Sequence, residues 1–155
     1  MQKKFFVFGL LFLIIITSPI SSATVSFLVI ETGTPSEGSA SRYSTMWENS
    51  LLDVFFESGH IVTNSPILRL TRKLDEGFPD EAERDFESAR EGGMDFFIVA
   101  IVDHPAPHNV SLRLFRTSSQ EMILEYKYMD KTYRSQKEES DTIKNDIMGL
   151  AARLQ

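Results

Sequence analysis

The spacing of apolar residues changes several times along this chain, and each change marks an element. Residues 5–16 form an almost unbroken apolar run behind Lys3 and Lys4. A second run at residues 25–30 is β-branched and aromatic, too continuous for a half-exposed strand, and predicts a buried one. Residues 31–41 carry Gly33, Pro35 and Gly38 among serines and threonines, the composition of a loop. From Arg42 onward Tyr43, Trp47, Leu51, Val54 and Phe55 recur at helical spacing, until Ser58-Gly59 supplies a left-handed stop. Residues 60–64 then predict a short strand ended by Ser65-Pro66.

Residues 67–78 give a mixed signal. Ile67, Leu70 and Leu74 are spaced for a helix face, but Arg69, Arg72 and Lys73 crowd them and Gly77 ends the stretch, which reads as an ordered connection. Pro79 suits a helix's first turn, Asp80 and Glu81 complement its dipole, and Ala82, Phe86 and Ala89 make its stripe up to Gly92-Gly93. Residues 94–102 are the most apolar run after the first and predict the central strand. A turn at 103–109 leads into two period-two segments, with Val110, Leu112 and Leu114 on one and Met122, Leu124, Tyr126 and Tyr128 on the other, which predict a hairpin. Ser135 and Glu138 have the spacing of a capping box before a terminal helix marked by Ile143, Ile147, Leu150 and Leu154. The order β-α-β-α-β-β-β-α predicts an α/β fold with one mixed sheet. Its first three strands are parallel, the hairpin strands are antiparallel, and about three helices pack on its five strands.

The opening run acquires a meaning from its flanks. A basic start, an apolar stretch and the small residues Ser21-Ser22-Ala23 are the parts of a cleavable export signal over residues 1–23, leaving a single domain at 24–155 in the periplasm or outside the cell. The run is shorter than the ~20 residues that span a bilayer, and Pro19 follows it, although residues 17–20 could lengthen it into a retained anchor. With no cysteine, neither lipid attachment at the cleavage site nor a disulfide is available, so stability must come from a packed core. Losing Lys3 and Lys4 makes the domain two charges more acidic than the −6 of the whole chain, which argues against nucleic acid as a partner.

The stretch 46–62, a helix bearing Trp47, Leu51, Val54 and Phe55 that closes through Ser58-Gly59 directly into His60-Ile61-Val62, is similar to a known arrangement. With the element order, it resembles the small periplasmic α/β domains of the TolB amino-terminal, curli-secretion and penicillin-binding-protein-activator type. The resemblance implies an accessory, non-catalytic role in envelope assembly with another cell-envelope protein as partner. The lipid-attachment cysteine common among the activators is missing here.

Candidate chemistry is sparse. Parallel strands should deliver residues 31–42, 64–78 and 103–109 to one sheet edge, the carboxyl edge where α/β sheets tend to hold ligands. Asp103, His104 and His108, in a turn stiffened by Pro105 and Pro107, are candidate ligands for a divalent metal, against the plainer reading of a surface turn. Arg69, Arg72 and Lys73 are a candidate docking patch for an acidic partner, unless the leucines among them fill the core and the cations are merely solvated. No phosphate-loop, dinucleotide or nucleophile-elbow motif occurs, so no cofactor and no catalysis are expected. Trp47, in phase with Leu51 and Val54, reads as core.

Overall fold

The computed structural model describes residues 22–33, 38–129, 131 and 133–154; all but the last two residues of the export segment read over 1–23 lie outside these. The domain is one mixed sheet in which β1 (Thr24–Thr32) and β4 (Phe96–Asp103) lie side by side and parallel. β2 (Ile61–Asn64) and then β3 (Leu68–Leu70) pair in parallel with successive halves of β1's other edge. β5 (Asn109–Arg116) and β6 (Glu121–Met129) extend the sheet antiparallel beyond β4. The strand order β2-β1-β4-β5-β6 is the mixed sheet that the residue pattern predicts, with one addition. Residues 67–78 are not wholly a connection, because Leu68–Leu70 form a sixth strand against Ile30, Glu31 and Thr32.

Both faces of β1 and β4 are covered, which is why their sequences are continuous rather than alternating. Val25, Phe27, Val29, Ile98, Ala100 and Val102 pack under α1 (Arg42–Glu57) and α3 (Gln136–Ala151). Leu28, Ile30, Phe97, Val99 and Ile101 pack on the other face under α2 (Glu83–Glu91), which a 3-10 turn at Asp80–Ala82 precedes. Each fully buried aliphatic or aromatic side chain contributes about 1.5–3 kcal/mol, so two filled faces hold the fold without staples. Trp47, Leu51 and Phe55 of α1 are at most 1% exposed and lie in the first of these cores.

The helix ends obey local chemistry. Ser41 caps α1, its hydroxyl accepting from the Ser44 backbone N–H at 3.0 Å, and Gly59 at φ +84° turns the chain into β2. Ser135 caps α3 by accepting from the Glu138 N–H, but the Glu138 carboxylate accepts from the Arg134 N–H, one residue upstream of the reciprocal bond in a capping box. Among the described residues no helix is long and apolar enough to cross a membrane.

Candidate functional site

At the carboxyl edge, β1 ends in a charge. Glu31 is 0% exposed in a strand otherwise built mostly from apolar residues, and an unpaired carboxylate there would be costly. The sheet register places Arg69 of β3 directly opposite it, and Arg69 Nε donates to Glu31 Oε2 at 2.9 Å. The other carboxylate oxygen accepts from the Ser41 backbone N–H at 2.6 Å, so the buried charge also faces the positive end of α1. Burial by itself would push the Glu31 carboxyl up. The hydroxyls of Ser41 and Ser44, the Ser41 amide and Arg69 outweigh that and hold it below the ordinary value of 4.5.

The turn of residues 103–109 is fastened onto this centre. His104 N–H donates to Thr32 O at 2.9 Å, and Gly33, at φ +73°, passes so close that a Cβ there would lie 2.4 Å from the His104 carbonyl oxygen. His104 Nε2 lies 3.4 Å from Ser41 Oγ. Burial first, and repulsion by His108 second, lower the His104 pKa below 6.5, with Glu31 opposing them. His108 meets His104 edge to face at 4.4 Å between ring centroids and stacks on Tyr43 at 4.3 Å. The bonds His104-Pro105 and Ala106-Pro107 are both cis.

The structure thus brings His104 and His108 together, but it turns Asp103 elsewhere. The Asp103 carboxylate accepts from the Thr32 hydroxyl and lies 3.9 Å from Lys73 Nζ. Among the described residues no three histidine, aspartate or glutamate side chains converge as a metal-holding group. The cations singled out in the sequence do not stand as one free patch either. Arg69 is tied to Glu31, Arg72 to Glu81 and Lys73 to Asp103, while Arg72 and Lys73 keep 59% and 72% of their side chains exposed.

Two cavities open at this end of the sheet, one on each face of β6. On the α2 side, Leu74, Ile101, Ser111, Arg113 and Lys127 surround about 410 Å³. Arg113 organises that wall: its guanidinium donates to Glu125 at 3.0 Å and to the carbonyls of Asp75 and Gly77 at 3.1 and 2.7 Å, which clamps the chain after β3 onto the sheet. On the α1 side a cavity of about 210 Å³ lies among aromatic residues, Trp47 and Tyr128 included, with their ring centroids 5.4 Å apart. Sequence reasoning brought Glu31 and Ser41 to this edge without giving either a role, and it missed Tyr128 as part of this end. The one available signal was a carboxylate closing an apolar strand immediately before a serine-rich loop.

A family model described as "Uncharacterised protein" matches residues 24–145. The chain belongs to that family. The matched segment holds every residue of the carboxyl-edge cluster, from Glu31 to Tyr128. No curated protein matches it. Among solved structures, a PelC dodecamer from Paraburkholderia phytofirmans superposes with a TM-score of 0.53 at 12% identity, over 82% of this chain and 86% of that one. Lipoprotein GNA1162 from Neisseria meningitidis gives 0.50 at 11% identity, over 84% and 96%. The LpoB C-terminal domain from Salmonella enterica gives 0.45 at 13%, over 72% and 85%. At such identities the first two likenesses show a shared fold.

Proposed function

We propose that this family member is an exported domain that works by binding another cell-envelope protein, without chemistry of its own. The leader-like start supports export, and the fold it shares with a lipoprotein and with the subunit of a dodecamer supports an accessory role of the kind implied by the TolB, curli-secretion and activator resemblance. Glu31 and Asp103 at the carboxyl edge, and Glu125 in the middle of β6, each hold a cation or hydroxyl in place, a structural use of groups that a hydrolytic mechanism would need free.

The observation that carries the reading is the open side of the sheet. β6 is a nine-residue strand, and among the described residues no other strand pairs with its outer edge. Along it Met122, Ile123 and Met129 are 43%, 42% and 73% exposed. A row of unpaired backbone groups flanked by exposed apolar side chains is a template on which a partner's strand can add. Arg72 and Lys73, exposed at the far side of the same sheet end, form a second, charged surface.

A photo-crosslinking residue at position 123 or 129 in cells should capture one envelope protein that a residue at Glu87, on the opposite helix face, does not. Ile123→Lys with Met129→Lys should abolish that capture at unchanged circular dichroism. Equal capture from position 87 would defeat the binding edge, and loss only with Arg72→Glu and Lys73→Glu would move the surface to those cations.

A further inference from the structure

We propose that the open edge of β6 is closed by the β6 of a second copy of this chain, in an antiparallel pair centred on Tyr126. This rests on the reading of β6 as a strand-adding edge and names what occupies that edge when no envelope partner does. Among the described residues, β5 supplies every backbone hydrogen-bond partner that residues 121–129 have, so the groups pointing away from it are unpaired. The ladder with β5 is regular from Leu124 to Met129, the irregularity lying opposite Leu114 and Phe115, and a regular stretch of strand presents a usable second edge. Lys127, 62% exposed in the middle of that stretch, deters strands at random, because an added strand would crowd its charge unless it brought an acid opposite.

The order of residues along β6 supplies that acid. Two strands related by a two-fold axis in one continuous sheet meet with the axis passing a residue, so that side chains directly opposite each other lie on the same face. With the axis at Tyr126, Glu125 stands opposite Lys127 of the second copy and Lys127 opposite its Glu125, while Leu124 meets Tyr128 and Ile123 meets Met129. Every pair is apolar on apolar or acid on base, the combinations that stabilise facing strands. Ile123 and Met129, 42% and 73% exposed in the single copy, cover each other. Neighbouring registers lose this match. An axis at Glu125 or at Lys127 sets like charges opposite each other, and one at Leu124 puts Glu125 against Ile123 and leaves Met129 uncovered. Glu125 Oε2 lies 3.4 Å from Lys127 Nζ of its own strand, so the carboxylate is already turned toward the face on which the second ammonium arrives. The strand at the other end of the sheet, β2, is four residues long and uncharged, and so offers Lys127 no acid.

The chain has no cysteine, so a pair of introduced ones reports the register without interference. Ile123→Cys with Met129→Cys places two thiols about 20 Å apart along one strand, beyond disulfide reach, yet directly opposite each other across the two copies. Mild oxidation of that variant, recovered from cells, is expected to give a covalent dimer whose peptide map joins position 123 to position 129. The parent protein should show a concentration-dependent dimer in sedimentation velocity. Lys127→Glu, an exposed change, should weaken that dimer about tenfold at unchanged circular dichroism, because it sets two pairs of like charges opposite each other. A monomer at every concentration, a map dominated by links from 123 to 123 or from 129 to 129, or a dimer that Lys127→Glu leaves intact would overturn the self-pairing, and none of these touches capture of an envelope protein at the same edge. Failure of that capture while the dimer forms as described would defeat the envelope partner alone.

Discussion

Glu31 shows how one residue can fix a local geometry. Its carboxylate is sealed between Arg69 and the first turn of α1, so exchanging it for a neutral amide leaves the Arg69 charge facing a poorer acceptor in the interior. Glu31→Gln is expected to cost about 3 kcal/mol in urea unfolding at neutral pH, the scale on which breaking a buried pair acts. The pH dependence has a definite sign. A carboxyl held below its ordinary value in the folded state contributes stability that is complete above about 4.5 and is lost as the pH falls from there toward the folded value. Glu125, where burial opposes the bonds from Arg113 and Ser111, is lowered as well and acts in the same direction. Stability should therefore decline below pH 4.5, and the decline should be shallower in Glu31→Gln than in the parent when unfolding midpoints are compared across pH. None of this was legible from composition. A glutamate after an apolar run could as well have begun a solvated loop, and only the strand register that sets Arg69 opposite it shows otherwise.

At the scale of elements, residues 67–78 are the segment the pattern resolved least. Its leucines keep no strand period long enough to register and its cations break any helical face, yet Leu68–Leu70 pair with β1 because the end of β1 would otherwise lack a neighbour there. The segment between β3 and α2 is held by a long-range contact rather than by local propensity, the Arg113 guanidinium bound to two of its carbonyls. Arg113→Met keeps the buried volume while removing those donors. The expected result is a loss of about 2–3 kcal/mol and faster amide exchange confined to residues 71–78, read by mass spectrometry. Uniformly faster exchange across the sheet would instead assign Arg113 to the core as a whole. The helices, by contrast, were visible in advance: α1 starts at Arg42 and α3 buries Ile143, Ile147 and Leu150, because caps and 3.6-residue stripes are local signals.

For the whole molecule, the contacts of Ala23 and Thr24 with the rest of the fold bear on the proposed cleavage. Thr24 N lies 2.8 Å from Asp95 Oδ2, and the bonds from the Thr24 amide and hydroxyl hold the Asp95 carboxyl below 3.8. Cleavage after Ala23 would convert that amide into an ammonium, replacing a hydrogen bond by an ion pair at the start of β1. On the export reading proposed above, mass spectrometry of the protein recovered from cells is expected to find Thr24 as its first residue. Asp95→Asn should then lower the stability of the processed form by about 1 kcal/mol more than that of the form retaining Ala23. His60 marks the opposing contribution: its Nδ1 accepts from the Ala23 N–H at 3.2 Å while its Nε2 faces the Ala151 carbonyl at 3.3 Å, a link that is lost with Ala23. A mature chain that begins upstream of Ala23 would show that this link is kept.

The sequence by itself determined the element order apart from β3, the parallel core with its antiparallel hairpin and the two-sided burial of β1 and β4, because each depends on the period of apolar residues or on caps and turns a few residues long. It also brought the described residues of 31–42, with 64–78 and 103–109, to one edge, since parallel strands must end together. Only the tertiary structure decided what those residues do there. It tied Arg69 to a buried carboxylate, gave Asp103 to Thr32 and Lys73 rather than to the histidines, and left the Trp47 nitrogen without a partner among the described residues, beside an aromatic cavity. The physical reason is distance along the chain: the partners of a charge or a donor are chosen by three-dimensional proximity, and residues such as 31 and 69, or 47 and 128, carry no local mark of the neighbour that completes them.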